Sequence, residues 1–487
     1  MPDRPLIAAV DLGSNSFRLQ VIRVVSGSPR PVTTLKETVR LGAGLDGEGT
    51  LTAAAQDEAV AALARFAPVL AELGPDQVRA VATNTFRVAN NATVFLPRAE
   101  AALGFPIEII GGREEARLIY LGAAHSLPSS KERRLVVDIG GGSTELIVGR
   151  QFTPLCTESV PLGSVSWSAR FFPDGGLSEA RLREAELAAR SALQPFEADF
   201  GKAHWQSSIG TSGTARALAD VLEANGLSSR GISRSGLGQL RQALLRAGHI
   251  DHVKLAGIRE DRRPVMGGGF AIMAAVFDAF GIEQMDITFG ALRDGVMYDL
   301  MARRRAVDVR DRTVAAFARH CRVDGAQAER VALLAGSLFD QVTSDEPALR
   351  RSLADAALLH EVGVSIAQAD FHKHSAYLLR HADLAGFSLP EQERMAVLVS
   401  AQRGVLRVPV SPSMWHAVLA LRLATLLYRA RAASPHLPSL ALATTGDGYC
   451  LTLPSRWLDQ QPVIRFALNE EADVWQKAGK PLRIQAV

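Results

Sequence analysis

The sequence predicts an α/β protein whose first 300 or so residues are built twice over, followed by a mostly helical region. Three observations carry that expectation. A strand, glycine turn and strand at Asp11–Leu19 recur at Asp138–Leu146, with Asp, Gly, Ser and Leu at the same offsets. Apolar strand-like runs alternate with longer helical ones up to about residue 303. Beyond Arg303-Arg304-Arg305 the periodicity is helical to about Ala433.

The elements follow in order. Leu6–Val10 is apolar, Asp11–Ser16 has turn chemistry, and Phe17–Val25 is strand-like again. Val32–Leu41 alternates as a third strand. Thr52 then caps an Ala/Leu-rich helix running to about Leu73. Val78–Ala82 and Pro106–Ile110 read as strands, and Arg113–Ala124 as a helix. The opening pattern then returns: Leu135–Val137, a glycine turn over Asp138–Ser143, and Thr144–Val148. Thr153–Val160 is strand-like, and a long helix starts near Ser178. A strand leads into Gly210-Thr211-Ser212-Gly213-Thr214, which opens another helix. Gly267-Gly268-Gly269 reads as a turn before an apolar helix ending near Phe280. Met285–Ile287 is a short strand, and Gly290–Met301 is helical. A domain boundary is expected near 303–310. The last 50 or so residues show no clear helical period. Tyr449–Leu453 reads there as a strand and Trp457 as a packing anchor.

Composition narrows the class. The chain has 487 residues, 47% of them hydrophobic and 22% charged. That is enough for two to four ordinary globular domains. Cys156, Cys321 and Cys450 are far apart and form no CxxC pair, so a reducing compartment is expected. The N-terminus reaches Asp11 before a signal-peptide apolar region develops. The most apolar later stretches, Phe270–Ile282 and Val418–Leu427, are short and contain Asp278 and Arg422. A soluble cytoplasmic protein with no membrane span is therefore expected. Net charge is only +3, with a mild basic excess over residues 301–430. That excess fits an ordinary solvated surface or a track for a polyanion. Nothing singles out nucleic acid as a partner.

The turns point to phosphate. Glycine lets successive backbone N–H groups face one concavity, which binds anions without lysine. Ser14, Asn15, Ser16, Ser143 and Thr144 add side-chain donors. Gly140, Gly141 and Gly142 supply the second nest, and Thr211 and Ser212 a third. Asp11 and Asp138, each ending an apolar strand beside a nest, suit a hydrated Mg2+ that bridges phosphate oxygens. Neither a Walker A nor a dinucleotide fingerprint stands in the required context. A hydrolase must also activate water. Glu114 and Glu115 open a helix, about 100° apart, so one of them can face a cleft and accept a proton. The residues themselves leave the choice between the two open. Arg87, just past a strand, has the planar fork that suits phosphate oxygens.

The segments AAVDLGSNSFRLQV, ATNTFRVANNA, GGREEARLIYLGA, VVDIGGGSTELIVG, SVPLGSV, IGTSGTARAL and FGALRDGVMY occur in that order over residues 8–300. Together they resemble the exopolyphosphatase and guanosine pentaphosphate phosphohydrolase family. LLHEVGVSI followed by HKHSAYLLRHADLAGFS resembles the HD-like helical domain of its longer members. The resemblance implies two ribonuclease H-like domains, over 1–125 and 126–305, of the actin, sugar kinase and heat-shock ATPase superfamily. An HD-like helical domain follows over 306–433, and a small cap over 434–487. It implies Glu115 as catalytic base, and Asp138 and Glu145, with Asp11 near, as the acidic residues around Mg2+. It implies Ser14–Ser16, Gly140–Ser143 and Arg87 on phosphate. It also implies a homodimer that hydrolyses terminal phosphate from inorganic polyphosphate, with guanosine pentaphosphate as the alternative substrate. An ATP-dependent kinase of the same superfamily is the rival of another class. One departure stands out: His360-Glu361 occupies the place of the His-Asp metal ligands of working HD domains. A structural or polyphosphate-guiding role for that domain is expected, despite the nearby His320, His372, His374, His381 and His416.

Overall fold

The computed structural model describes residues 5–25, 28–303, 308–406, 411–431 and 437–487. Arg304, Arg305 and Ala433 therefore lie outside the described residues. The chain divides into two compact units, Met1–Asp308 and Val309–Val487.

The first unit holds two sheets of the same plan. In one, β1 (Leu6–Leu12), β2 (Phe17–Val25), β3 (Ser28–Glu37), β4 (Val78–Ala82) and β5 (Ile107–Ile109) take the order β3-β2-β1-β4-β5. In the other, β6 (Arg133–Ile139), β7 (Thr144–Arg150), β8 (Thr153–Val160), β9 (Ser207–Thr211) and β11 (Gln284–Ile287) repeat that order. The short β10 (Ile232–Ser233) adds an antiparallel edge beyond β11. In each sheet the first strand pairs antiparallel with the second and parallel with the fourth. The first strand is thus central and covered on both faces, which explains its near-continuous apolar run. The expected duplication is a duplication of topology.

Helices cover the outer faces. Thr52 and Ser178 cap the Ala53–Leu70 and Glu179–Leu193 helices, each side-chain oxygen accepting from a first-turn amide. Two other helices, Gly112–Ser126 and Leu292–Arg303, lie in a core shared by the inner faces of both sheets. They cross with their backbones in contact. A Cβ on Gly122 would meet the Ala291 carbonyl, and one on Gly295 the Leu118 carbonyl. Gly267–Gly269 form no turn. They lie buried in the first helical turn of Met266–Phe280, where Gly268 packs on the Ser164–Phe171 helix and donates its N–H to Ser168 Oγ at 3.0 Å. Glycine is present there for close approach, which a sequence reading easily takes for turn chemistry.

The second unit is helical from Val309–His320 to Pro412–Leu427, with a sheet ordered β12 (Ala441–Thr444), β13 (Tyr449–Leu453), β14 (Leu482–Ala486). The final stretch also contains a 16-residue helix, Pro462–Lys477, that the sequence reading missed. Its apolar stripe is interrupted by Glu471, buried because Arg422 grips it with two nitrogens at 2.5 and 2.8 Å. Trp475 stacks edge-on with Trp415 and Tyr449, so residues 437–487 share one core with the preceding helices. His360 is buried with Nδ1 against the Ala357 carbonyl, while Glu361 is engaged by Arg431. Among the described residues, no group of three or more His, Cys, Asp or Glu is arranged to hold a metal ion. No helix among them is long and apolar enough to cross a membrane.

The helix crossing makes a simple prediction. Gly295→Ala forces a methyl group against backbone and should cost at least about 1–3 kcal/mol. A thermal melt that matches the parent protein would show that the two helices part freely.

Candidate functional site

The site is built on the two hairpin turns. Asp11 ends β1 in register with Arg18 on β2, and Asp138 ends β6 in register with Glu145 on β7. Gly13–Ser16 and Gly140–Ser143 make the turns, the second closed by Gly140 N–H donating to the Ser143 carbonyl at 2.8 Å. Among the described residues, the amides of Gly141 and Gly142 have no acceptor. The second nest is crowded as well as open. A Cβ on Gly142 would strike the Asn84 amide, and Gly141 and Gly142 press on Gly163. Both turns line one cleft of about 880 Å3, counting the space open to solvent. That is within the size range of small-molecule sites.

The cleft collects most of the residues singled out from the sequence. Asp11, Ser14, Asn15, Ser16, Glu115, Asp138, Gly140–Ser143, Glu145 and Ser212 all line it. Thr211 stands behind the wall, fully buried, with its hydroxyl donating to the Gly290 carbonyl. Arg87 also stands back. Its Nη1 donates to Glu115 Oε2 at 2.6 Å and to the Ile110 carbonyl at 3.0 Å. The structure thus places Arg87 as the partner of Glu115.

The choice between the two glutamates is resolved by their partners. Glu114 is turned away from the cleft and takes two hydrogen bonds from Arg117, at 2.7 and 2.8 Å. Glu115, one residue on, lines the cleft together with Asp138 and Glu145.

Sequence reasoning missed the basic wall. Arg18, Arg216, Arg262 and Arg293 line the same cleft. Among the described residues, the side chains of Arg18, Arg216 and Arg293 have no hydrogen-bond or ion-pair partner. Arg262 Nε and Arg293 Nε are buried without an acceptor. Burial pushes Arg216 and Arg262 below the usual guanidinium range, and the neighbouring Arg18 adds to it. Arginines lining a cleft with their side-chain donors unsatisfied suit an anionic ligand. One signal was available beforehand. Arg18 stands in the first repeat where Glu145 stands in the second.

The carboxylates show the opposite crowding. Burial, then Glu115 and Asp11, push Asp138 up to about 7. Burial, and then Glu115 against the relief from Arg18, push Asp11 up to about 6. Burial, Glu115 and Asp138 raise Glu145 well above the ordinary carboxylate range, with Ser159 Oγ donating to it at 2.8 Å. Such repulsion is what a bound cation relieves. Two adjacent carboxylates, too few for a protein cage, suit Mg2+, which keeps its waters and shares phosphate oxygens. The donor set therefore fits Mg2+ held chiefly by Asp138 and Glu145.

Two ribonuclease H-like lobes closing on a cleft of carboxylates and arginines define the class of this protein. The chain belongs to the Ppx/GppA phosphatase family: that family's model matches residues 20–304, and the model of its domain III matches residues 309–472. Members of the family are hydrolases of phosphoanhydrides. Among solved structures, an exopolyphosphatase from Cytophaga hutchinsonii is 25% identical, with a TM-score of 0.55 over 61% of this chain and 98% of its own. An exopolyphosphatase-like protein is 26% identical, with a TM-score of 0.55 over 62% and 98%. The Aquifex aeolicus PPX-GPPA enzyme, 24% identical with a TM-score of 0.51 over 60% and 99%, shares the fold.

The raised acids predict a stability signature. A carboxyl raised in the folded state contributes stability that is present below the unfolded pKa of about 3.9. That contribution is lost as pH rises through about 7 for Asp138. In metal-free protein, Asp138→Asn should therefore raise Tm at pH 8, by about 2–4 °C for each kcal/mol relieved, and give no gain at pH 4. Melts at the two pH values check it; an equal change at both would refute the crowding.

Proposed function

We propose that this protein is an exopolyphosphatase, removing the terminal phosphate of inorganic polyphosphate. The observation that carries this reading is one cleft in which Glu115, Asp138 and Glu145 face Arg18, Arg216, Arg262 and Arg293. The basic residues continue beyond the cleft. Arg18, Arg259 and Arg262 act on Lys36, while Asp261 pairs with Arg259 at 2.9 Å and reaches Lys36 at 3.9 Å. Repeated cations along one wall suit an anion whose charge repeats along its length.

In this reading the arginines and the free amides of Gly141 and Gly142 hold the terminal phosphates in line. Glu115, oriented by Arg87, accepts a proton from a water attacking the terminal phosphorus. The bond from that phosphorus to the bridging oxygen breaks, and the leaving chain takes the oxygen and its charge. Orthophosphate and a chain one unit shorter result. Mg2+ at Asp138 and Glu145, when bound, neutralises charge on the phosphate oxygens. No acceptor hydroxyl other than water is needed, which separates this reading from a kinase.

Guanosine pentaphosphate is the second reading, favoured by one feature. Phe289 at the cleft mouth is 78% exposed, with the Arg216 guanidinium 5.6 Å from its ring centre. An exposed ring beside a phosphate site can stack on a base.

Phosphate release from long-chain polyphosphate, guanosine pentaphosphate and ATP, measured side by side with and without Mg2+, tests the proposal. Polyphosphate should be the preferred substrate by kcat/KM, and release should depend on Mg2+. Preference for the nucleotide, together with its loss in Phe289→Ala, would give the second reading instead. Glu115→Gln should lower kcat by about 10²–10⁴-fold while polyphosphate binding, followed by fluorescence or calorimetry, persists. Near-normal turnover would remove Glu115 from the role of base.

A further inference from the structure

Behind the cleft lies a group of charges that the proposed chemistry does not use. Arg117 joins Glu114 to Asp299: its Nε and Nη2 donate to Glu114 at 2.7 and 2.8 Å, and Nη2 also donates to Asp299 Oδ1 at 2.6 Å. Asp299 Oδ2 accepts from Arg79 Nη1 and from Arg303 Nε, both at 2.8 Å. Arg79 turns its remaining nitrogens to Glu108, at 2.9 and 3.0 Å. The side chains of Arg79, Glu114 and Asp299 are 2%, 4% and 5% exposed. Charges drawn from β4 and both crossing helices are thus buried together, with Glu108 of β5 at the edge.

Such a cluster is a poor way to gain stability alone. Well-packed apolar side chains do as well or better, since each buried charge must first be desolvated. What the cluster does give is a single geometry, because a rotation of either helix would strand a buried charge. That matters at one place. The Gly112–Ser126 helix starts on Gly111, with no side-chain cap, and Glu115 lies in its first turn. That turn is held on one side by Arg87 through Glu115 and by the pairing of Arg113 with Glu158 on β8. Glu114 lies in the same turn and is held by the cluster. The partner helix, Leu292–Arg303, carries Arg293 into the cleft at its start and Asp299 in the cluster further on.

We propose that the Arg79–Glu114–Arg117–Asp299 cluster is the positioning device of this site, fixing the rotation of the Gly112–Ser126 helix and so the direction in which Glu115 projects. Asp299 and Glu114 are positioning residues that act through Glu115. The inference rests on Glu115 being the base.

Asp299→Asn and Glu114→Gln in the full chain test it, with tripolyphosphate as substrate and Mg2+ present. Each keeps the shape of the side chain and removes its charge. Each should lower kcat by about 10–100-fold, the scale of a small misplacement of a catalytic group, with KM within about twofold of the parent. In a Glu115→Gln background the same changes should cost nothing further, because the group being positioned is gone. A merely structural role predicts the same loss in both backgrounds, and that result would overturn the proposal. So would parental kcat in both folded variants, or loss of the fold in both by circular dichroism. Near-normal turnover by Glu115→Gln itself would overturn the reading of Glu115 as base and this proposal with it. An inactive Glu115→Gln beside a fully active Asp299→Asn would overturn the positioning role alone.

Discussion

Asp11, Glu115, Asp138, Glu145 and Asp294 converge on one cleft, and holding five carboxylates together there is the constraint that the surrounding structure has to meet. Like charges in a partly dry site repel strongly and drive one another toward protonation. The structure answers in two ways. It seats Asp138 and Glu145 as cross-strand neighbours, where a cation can bridge their charge. It gives Glu115 an arginine of its own, Arg87, anchored in turn on a backbone carbonyl. The acids stay close together in one cleft, and Glu115 keeps a separate partner.

The duplicated sheets make this convergence possible. Each central strand ends in an aspartate and a glycine turn, so two copies of one local motif deliver two aspartates and two amide nests to a common space. The crossing helices close the floor between them. Glycine at their contact lets the backbones touch, and the buried ion cluster beyond it sets their rotation. Local motif, topology and long-range charge pairing each contribute one coordinate of the site.

Legibility in the sequence followed range. The strands, the cap at Thr52, the helix start near Ser178 and the hairpin turns were readable because each is set by neighbours along the chain. The placing of Asp138 beside the glycine nest was readable for the same reason, whereas Glu145 was pointed to by the family resemblance. Glu115 could not be told from Glu114 by residues alone, since the distinction is made by Arg117 and by Asp299, 182 positions from it. Arg216, Arg262 and Arg293 lie far from Arg18 and apart from one another in the sequence and acquire meaning only together. The missed helix at Pro462–Lys477 has a related cause: its stripe runs through Glu471, which is tolerable only because a distant Arg422 meets it. Gly267–Gly269 misled in the opposite direction, close packing having the same composition as a turn.

The two hairpins differ at a single telling place, Arg18 in one and Glu145 in the other, each opposite its aspartate. A perfectly repeated pair of hairpins would face the bound phosphates with the same charge on both sides. This pair does not. At that rung one jaw sets an acid against a cation, while the other sets two acids against each other, and burial and repulsion raise both of those toward protonation. The rung of paired acids is the side of the cleft whose crowding a cation would relieve. The asymmetry between the two halves of the cleft is thereby set by one charge.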